Sequence, residues 1–260
     1  MDLTQKEIVY QTIGEAELKL HLFETRGRDR PTRVPAIVFF FGGGWRSGTP
    51  EQFFPHCRYL ASRGLVAISA EYRVESRHGV TPFECVLDAE RAFRWVQAHA
   101  GELGVDPDRI AAGGGSAGGH LAACLATLGR EDGQLPGALV LFNPVVDTTR
   151  EPIRAHGFGD RAQELSPVHH VRPGLPATIV FHGLEDTTVP FSDVERFCDR
   201  MQKAGNRCEL VGFAEMGHGF FNFGRNGNKS YEETVQAMDR FLVSLGYLEG
   251  TADHTGEEIA

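Results

Sequence analysis

The sequence predicts an α/β fold in which a mostly parallel central sheet carries helices on both faces. Apolar runs typical of buried strands alternate with segments whose apolar residues recur at helical spacing. Strands separated by helices pair in parallel through right-handed crossovers, so this alternation predicts the sheet. The chain has 260 residues, of which 41% are hydrophobic and 23% charged. That composition is ordinary for a soluble globular protein with a sizeable core.

The elements begin with an antiparallel hairpin. The alternating runs EIVYQTI and LKLHLFE flank GEAE, a pattern typical of two strands and their turn. Residues 34–41, VPAIVFFF, are nearly all apolar, so we expect a strand buried on both faces. Further strands are predicted at LVAISAEY, RIAAG, ALVLFN, ATIVFHG and CELVGF, and helices near 50–63, 82–99, 116–128, 191–204 and 230–245.

The domain organisation follows from the same alternation. We predict a single domain over residues 1–250, because no linker or change of composition interrupts the pattern. Residues 144–176 form a longer irregular stretch, which we expect to be an insertion at the rim of a pocket. Residues 251–260, TADHTGEEIA, have no apolar periodicity and are expected to be a disordered tail.

The overall charge and the termini exclude several classes of protein. The formal net charge of -9 argues against nucleic-acid binding, which needs clustered lysine and arginine. No stretch approaches the roughly 20 apolar residues of a membrane span. The opening residues, MDLTQKEIVY, lack the features of a secretory signal. We therefore expect a cytoplasmic protein, or a secreted or periplasmic one if a leader has been removed.

The five cysteines are scattered, odd in number and without CxxC spacing. This pattern predicts neither a zinc site nor a disulfide framework. Cys198 and Cys208 could form at most one optional bridge.

Ser116 lies in the run GGSAG, residues 114–118, between a predicted strand and a predicted helix. The pattern G-x-S-x-G in that context is typical of a nucleophile elbow. Its glycines let the chain reverse within a few residues, which would lift the hydroxyl clear of the sheet. A plain glycine-rich turn and a degenerate dinucleotide loop are the alternatives, although no acidic residue follows a second strand as a dinucleotide loop requires.

A second glycine run, residues 42–44 in FFFGGGWRSG, directly follows the predicted buried strand. Its backbone amides can turn toward a carbonyl oxygen at the carboxyl end of that strand. Together with the amide of Ala117, they would stabilise the oxyanion that forms when an ester is attacked. The alternative is a tight turn with Trp45 as a plug in the core.

Candidate acid and base residues follow later strands. Asp186 lies just after ATIVFHG, where a carboxylate can orient an imidazole, and His218 follows CELVGF with a glycine on either side. The order serine, aspartate, histidine matches that of hydrolases with a nucleophile elbow. Asp147 is the competing acid. Other histidines are expected at the rim or near the acid loop, namely His169, His170 and His182.

With these motifs, the sequence resembles the α/β-hydrolase fold over nearly its whole length. Within that fold it is similar to esterases and lipases related to hormone-sensitive lipase, to acetyl-esterase-like carbohydrate esterases and to kynurenine formamidases. The specific stretches are GVDPDRIAAGGGSAGGHLA, HGLEDTTVP and GHGFFN. The resemblance implies that Ser116 is the nucleophile, Asp186 the acid and His218 the base. It also implies oxyanion donors at Gly43, Gly44 and Ala117, and we expect substrate contacts from Trp45 and His169.

Two positions depart from the family pattern. Phe41 stands where the oxyanion motif usually begins with histidine, and Gly115 stands where an acidic residue often precedes the nucleophile. Neither change removes a member of the triad or a backbone donor. We therefore expect catalysis to persist.

The resemblance implies a serine carboxylesterase that hydrolyses short-chain, acetyl-type esters, and carbohydrate esters are the specific expectation. The acyl-enzyme mechanism needs no metal and no cofactor. The expected partner is a small-molecule ester, and the chain is expected to be a monomer or a homodimer. An amidase or formamidase using the same triad is one alternative, suggested by the run Gly42 to Trp45. A non-catalytic ligand-binding protein on the same scaffold is the other.

Overall fold

The computed structural model describes residues 2–27, 33–129 and 134–250. The predicted tail, residues 251–260, lies outside them. Within the described residues the chain forms eight strands, which join in one sheet. In chain order they are β1 (Leu3–Ile13), β2 (Ala16–Thr25), β3 (Val34–Phe40), β4 (Val66–Ala70), β5 (Val105–Gly115), β6 (Ala138–Phe142), β7 (Ala177–Gly183) and β8 (Cys208–Phe213).

The strand order across the sheet is β1-β2-β4-β3-β5-β6-β7-β8. The pairs β1 with β2 and β2 with β4 are antiparallel, and every other neighbouring pair is parallel. This arrangement confirms the predicted mostly parallel sheet and the hairpin at its edge. The central strands are almost fully buried, as their continuous apolar runs predict.

Helices separate most of the parallel strands, as the alternating pattern predicts. The longest, α3 (Pro82–Ala98), begins with a capping box in which Thr81 and Glu84 bond reciprocally, and proline follows the cap. Among the described residues, no helix combines the length and apolarity needed to cross a membrane. The helices are α1 (Phe54–Ser62), α2 (Glu75–His78), α3 (Pro82–Ala98), α4 (Ala100–Leu103), α5 (Ala117–Thr127), α6 (Phe191–Lys203) and α7 (Lys229–Ser244).

Residues 144–176 between β6 and β7 hold three short 3₁₀ helices, Ile153–Ala155, Gly159–Leu165 and Pro167–His169. The segment contains no longer helix and no strand, in agreement with the irregular stretch expected from sequence. Ile153 and Phe158 anchor it in the core.

The strand register brings the ends of several strands to one edge of the sheet. In the parallel pairs, Phe40 lies beside Gly114, Gly115 beside Phe142, and Phe142 beside Phe181. The loops that follow β3, β5, β6 and β7 therefore start side by side. This edge is where ligands bind in parallel α/β sheets.

Several boundaries differ from those expected, and two of them flank the nucleophile segment. Strand β5 begins at Val105, four residues before the predicted RIAAG, because Val34 pairs with Val105 ahead of an irregularity in the register. Polar residues at 106–109 concealed this extension. Ser116 does not begin a helix; it lies between β5 and α5 as the N-cap.

All five cysteines are buried thiols. Cys198 Sγ on α6 and Cys208 Sγ at the start of β8 lie 3.0 Å apart. The structure thus places side by side the two residues that the sequence allowed as a bridge, and it shows them unbridged.

Candidate active site

Ser116 occupies the sharp turn between β5 and α5. Its φ of 54° and ψ of −118° are uncommon for a residue with a side chain and are typical of a strained site. The backbone is held because its N–H donates to the Phe142 carbonyl at 2.9 Å and its carbonyl accepts from His120 N–H at 3.0 Å. The turn predicted from G-x-S-x-G is therefore present, with the hydroxyl at the carboxyl edge of the sheet.

The glycines around Ser116 are required by close packing. A Cβ atom at Gly118 would collide with the carbonyls of Phe40 and Phe41, and one at Gly114 would collide with Gly118. At Gly115 a Cβ would lie 2.5 Å from Phe221 Cζ, so this ring fills the space that an acidic side chain would enter. The glycine at position 115, where the family often has an acidic residue, therefore leaves room for the ring of Phe221.

The ring of His218 connects two other side chains. Its Nε2 lies 2.9 Å from Ser116 Oγ, and its Nδ1 lies 2.7 Å from Asp186 Oδ2. These residues are far apart in the sequence and come together because β5, β7 and β8 end at the same edge of the sheet. The distances allow a proton to pass from the serine hydroxyl to the imidazole.

The setting of Asp186 favours its ionised form. Burial acts to raise the pKa of this carboxyl group, but hydrogen bonds from His218 and from the amides of Val189 and Thr188 lower it overall. Both amides donate to Oδ1 at 2.9 Å. His182 Nε2 lies 3.4 Å from Oδ2 and donates to the Val189 carbonyl. His182 therefore supports the acid loop, as expected.

The competing acid, Asp147, is engaged elsewhere. Its Oδ2 accepts a hydrogen bond from Arg196 Nη2 at 2.6 Å, and its Oδ1 accepts from the amide and hydroxyl of Thr149. Ser166 Oγ lies 3.5 Å from the same Oδ1. Asp147 is an ion-paired loop cap, and His218 contacts Asp186 instead.

The glycine loop, residues 41–48, follows β3. Gly43 and Gly44 have φ of 128° and 63°, which their lack of a side chain permits. Within the described residues, their amides and that of Ala117 have no protein acceptor. The amide of Gly42 is different, because it donates to Gln52 Oε1 at 2.6 Å.

Phe41 replaces the usual histidine with apolar packing. Its ring is fully buried and stacks on Tyr72, with the ring centroids 4.2 Å apart. The Tyr72 hydroxyl donates to the Phe41 carbonyl at 2.8 Å. The start of the glycine loop is therefore held by stacking and one hydrogen bond from the neighbouring strand end.

Ser116 opens onto a cavity of about 330 Å³. Trp45 reaches its wall but is only 2% exposed, and its ring packs edge-on against Phe158 and His120. Most of the Trp45 side chain therefore packs in the core, and its contact with a substrate stays a prediction. The other side chains that line the cavity are Gln52, Asn143, Val145, Ile153, His156, Thr188, Val189, His218, Phe221, Asn222 and Arg225.

His169 is not among the residues that line this cavity, so the structure does not support the predicted substrate contact. The side chain lies at the surface, with Nδ1 2.8 Å from Ser166 Oγ. This histidine is the last residue of the short 3₁₀ helix at 167–169, which follows the buried Ser166. His170 also lies outside the cavity and bonds to the Gln163 carbonyl.

Three amide side chains at the site were not predicted from the sequence: Gln52, Asn143 and Asn222. Asn143 is fully buried directly after β6, with a φ of 34°. Its Oδ1 accepts from Gly219 N–H at 3.0 Å, and its Nδ2 lies 3.4 Å from His218 Nε2. The sequence offers one signal for Asn143: it is a polar residue at the end of the predicted buried strand ALVLFN.

Comparisons with known proteins agree with this geometry. Residues 37–163 match the family described as the alpha/beta hydrolase fold. Esterase 2 of Thermogutta terrifontis phosphoramylated by tabun is 47% identical, with a TM-score of 0.89 over 95% of this chain and 97% of that chain. Its propionate-bound form is 46% identical, with the same TM-score and coverage.

A more distant relative is the probable carboxylic ester hydrolase LipM of Mycobacterium tuberculosis. It is 27% identical over 98% of this chain. The chain spans 64% of the length of that protein. Since the Thermogutta esterase is matched almost from end to end at nearly half identity, the chain belongs to the α/β-hydrolase fold family.

Proposed function

We propose that the chain is a serine carboxylesterase that hydrolyses short-chain esters. The observation that carries this proposal is the His218 ring, which joins Ser116 Oγ at 2.9 Å to Asp186 Oδ2 at 2.7 Å. Thermogutta terrifontis esterase 2 supports it, since that protein has been seen bound to propionate and to butyrate and phosphorylated by paraoxon. Propionate and butyrate are the acids that short-chain esters release.

In the acylation step, His218 Nε2 accepts the hydroxyl proton of Ser116 while Oγ attacks the ester carbonyl carbon. Asp186 accepts a hydrogen bond from His218 Nδ1, which fixes the tautomer and stabilises the imidazolium. His218 then gives the proton to the leaving alcohol as the carbon–oxygen bond breaks. A water molecule repeats the sequence on the acyl-enzyme, releases the acid and restores Ser116.

The negative charge of the tetrahedral intermediate requires donors beside Ser116. Under this proposal the amides of Gly43, Gly44 and Ala117 supply them. Gly42 does not, because Gln52 already accepts its N–H. The N-terminal end of α5 adds its partial positive charge.

The cavity supports a small acyl group. Its volume of about 330 Å³ lies near the lower end of the range for small-molecule sites, and Val145, Ile153 and Val189 give it an apolar wall. Acetyl-type esters of carbohydrates are the narrower proposal. His156 and Arg225 line the same cavity and can donate hydrogen bonds to sugar hydroxyls.

The test is hydrolysis of p-nitrophenyl esters of increasing chain length by the wild type and by Ser116→Ala. We expect acetate to butyrate to be preferred over longer acyl groups. Ser116→Ala should lower kcat by about 10⁴-fold or more, because no other group supplies the nucleophile. Ser192→Ala, at an exposed serine on α6, is the matched control and should behave like the wild type. Undiminished turnover by Ser116→Ala would refute the proposal.

Two further assays separate the alternatives. Faster turnover of N-formylkynurenine than of acetyl esters would favour a formamidase, and acetylated sugars test the carbohydrate proposal. Absence of both turnover and fluorophosphonate labelling would favour a non-catalytic ligand-binding protein. The cytoplasmic location and the monomeric or homodimeric state stay predictions.

A further inference from the structure

The glycine loop and the loop that carries His218 are joined by two side-chain amides. Gly42 N–H donates to Gln52 Oε1 at 2.6 Å, and Gln52 Nε2 donates to Asn222 Oδ1 at 2.8 Å. Asn222 Nδ2 then donates to the Gly219 carbonyl at 2.8 Å. Gln52 and Asn222 lie 170 residues apart in the sequence and meet only in the fold.

Each amide in this chain of hydrogen bonds uses one donor and one acceptor. Turning the Gln52 amide over would place its nitrogen against the Gly42 N–H and its oxygen against Asn222 Oδ1. Turning Asn222 over would likewise bring two donors together and two acceptors together. The network therefore fixes the orientation of both side chains, and through them the spacing between the two loops.

We propose that Gln52 and Asn222 are positioning residues for the oxyanion site, and we name the pair the amide brace. This inference rests on the proposed function. Gln52 accepts the Gly42 N–H, whereas the next two amides, those of Gly43 and Gly44, have no acceptor among the residues that the structure describes and are free to receive the oxyanion. The brace acts beside the stacking of Phe41 on Tyr72 and the hydrogen bond from the Tyr72 hydroxyl, which hold the start of the same loop.

The brace also ties the oxyanion donors to the base. Asn222 contacts Gly219, the residue after His218, while Asn143 holds the N–H of the same Gly219 from the other side. Donors that are misplaced by a fraction of an ångström lose much of their effect on the transition state, because they act only at hydrogen-bond distance. Loss of the brace should therefore lower kcat far more than it changes KM.

The test is steady-state kinetics with p-nitrophenyl butyrate on Gln52→Ala, Asn222→Ala and the double variant. We expect each single variant to lower kcat by about 10- to 100-fold, with KM changed less than about threefold. Because the two side chains act as one unit, the double variant should be no slower than the worse single variant. Gln97→Ala, at a glutamine on α3 outside this cavity, is the matched control and should retain wild-type kinetics.

A conservative variant separates positioning from general damage to the fold. Gln52→Glu keeps the length of the side chain and an oxygen that accepts the Gly42 N–H, but it turns a carboxylate oxygen toward Asn222 Oδ1 and adds a negative charge near the oxyanion. Its kcat should therefore fall at least as far as that of Gln52→Ala, although the variant stays folded. Affinity for a trifluoromethyl ketone, which mimics the tetrahedral intermediate, should fall in parallel with kcat. Thermal unfolding of each variant identifies any that fail to fold.

Wild-type kcat in folded Gln52→Ala and Asn222→Ala would overturn the brace, as would losses that multiply in the double variant. These outcomes are distinct from failure of the proposed function. If the proposed function fails, Ser116→Ala retains activity, whatever the behaviour of the Gln52 variants.

Discussion

Two loops at the carboxyl edge of the sheet, one after β6 and one after β7, hold an aspartate in nearly the same local way. Asp147 Oδ1 accepts hydrogen bonds from the amide and hydroxyl of Thr149, and Asp186 Oδ1 accepts from the amides of Thr188 and Val189. Burial acts to raise the pKa of both carboxyl groups, and the hydrogen bonds lower it overall. The chain thus builds two ionised carboxylates with one type of turn.

The second carboxylate oxygen separates the two loops. Asp186 Oδ2 faces His218, whose other ring nitrogen reaches Ser116, whereas Asp147 Oδ2 faces the guanidinium of Arg196. An imidazole can accept and release a proton near neutral pH, while a guanidinium stays charged. The partner of the second oxygen, and not the local setting of the aspartate, therefore decides whether the carboxylate can take part in proton transfer or only supports the fold.

The largest effect is expected from Asp186→Asn. An amide here cannot stabilise the imidazolium of His218 and favours the wrong tautomer, so kcat should fall by about 10³- to 10⁴-fold. Steady-state hydrolysis of p-nitrophenyl butyrate measures this loss. A loss below tenfold would mean that Asp186 is not the acid.

A smaller loss is expected from His182→Phe. Burial lowers the pKa of His182, so its Nε2–H acts on Asp186 as a neutral dipole at 3.4 Å. Removing one such long contact should cost about 1.4 kcal/mol of transition-state stabilisation, or roughly tenfold in kcat/KM. Urea unfolding checks that the variant is folded. An unchanged kcat/KM would show that His182 serves only the Val189 carbonyl.

The matched substitution Asp147→Asn should leave kcat within about threefold of wild type, because Asp147 contacts no residue of the triad. It should instead lower the free energy of unfolding by about 1–2 kcal/mol, since a buried carboxylate loses its ion pair with the partly exposed Arg196. Urea unfolding at neutral pH measures this change. A loss of activity as large as that of Asp186→Asn would show that Asp147 is also needed for catalysis.

The stability difference between wild type and Asp147→Asn should depend on pH. The pKa of Asp147 is lower in the folded state, so the stabilisation is fully present above its unfolded value of about 3.9. It is lost as the pH falls through the lowered folded value. Between pH 6 and about pH 3.9 the difference between the two unfolding free energies should therefore stay constant, and it should shrink as the pH is lowered further toward 2. A difference that grows on acidification would contradict the assignment.

The sequence was sufficient to predict the fold and the meeting of Ser116, Asp186 and His218. Each of these residues follows a strand, and parallel strands end at one edge, so strand order alone brings their loops together. Local sequence distinguishes Asp147 from Asp186 less clearly, because both follow a strand and both cap their own loop. The resemblance to the family favoured Asp186, and in the structure it is Asp186 that lies beside His218.

Other features could not be read from the sequence. The brace joins Gln52 to Asn222 across 170 residues, and no local pattern marks either amide as part of the site. Phe221 fills the space beside Gly115, and nothing in the sequence around the glycine predicts this contact. No pattern in the sequence shows that His169, expected to contact the substrate, ends a 3₁₀ helix at the surface.

The most direct test of the proposed esterase site is the residue that paraoxon phosphorylates in this protein. After reaction, digestion and mass spectrometry should locate the diethyl phosphate on Ser116, with loss of esterase activity in proportion. Asp147→Asn should react at the wild-type rate, Asp186→Asn far more slowly and Ser116→Ala not at all. A phosphate on another residue that accounts for the lost activity would contradict Ser116 as the nucleophile. So would a Ser116→Ala variant that is active and is then fully inactivated by paraoxon.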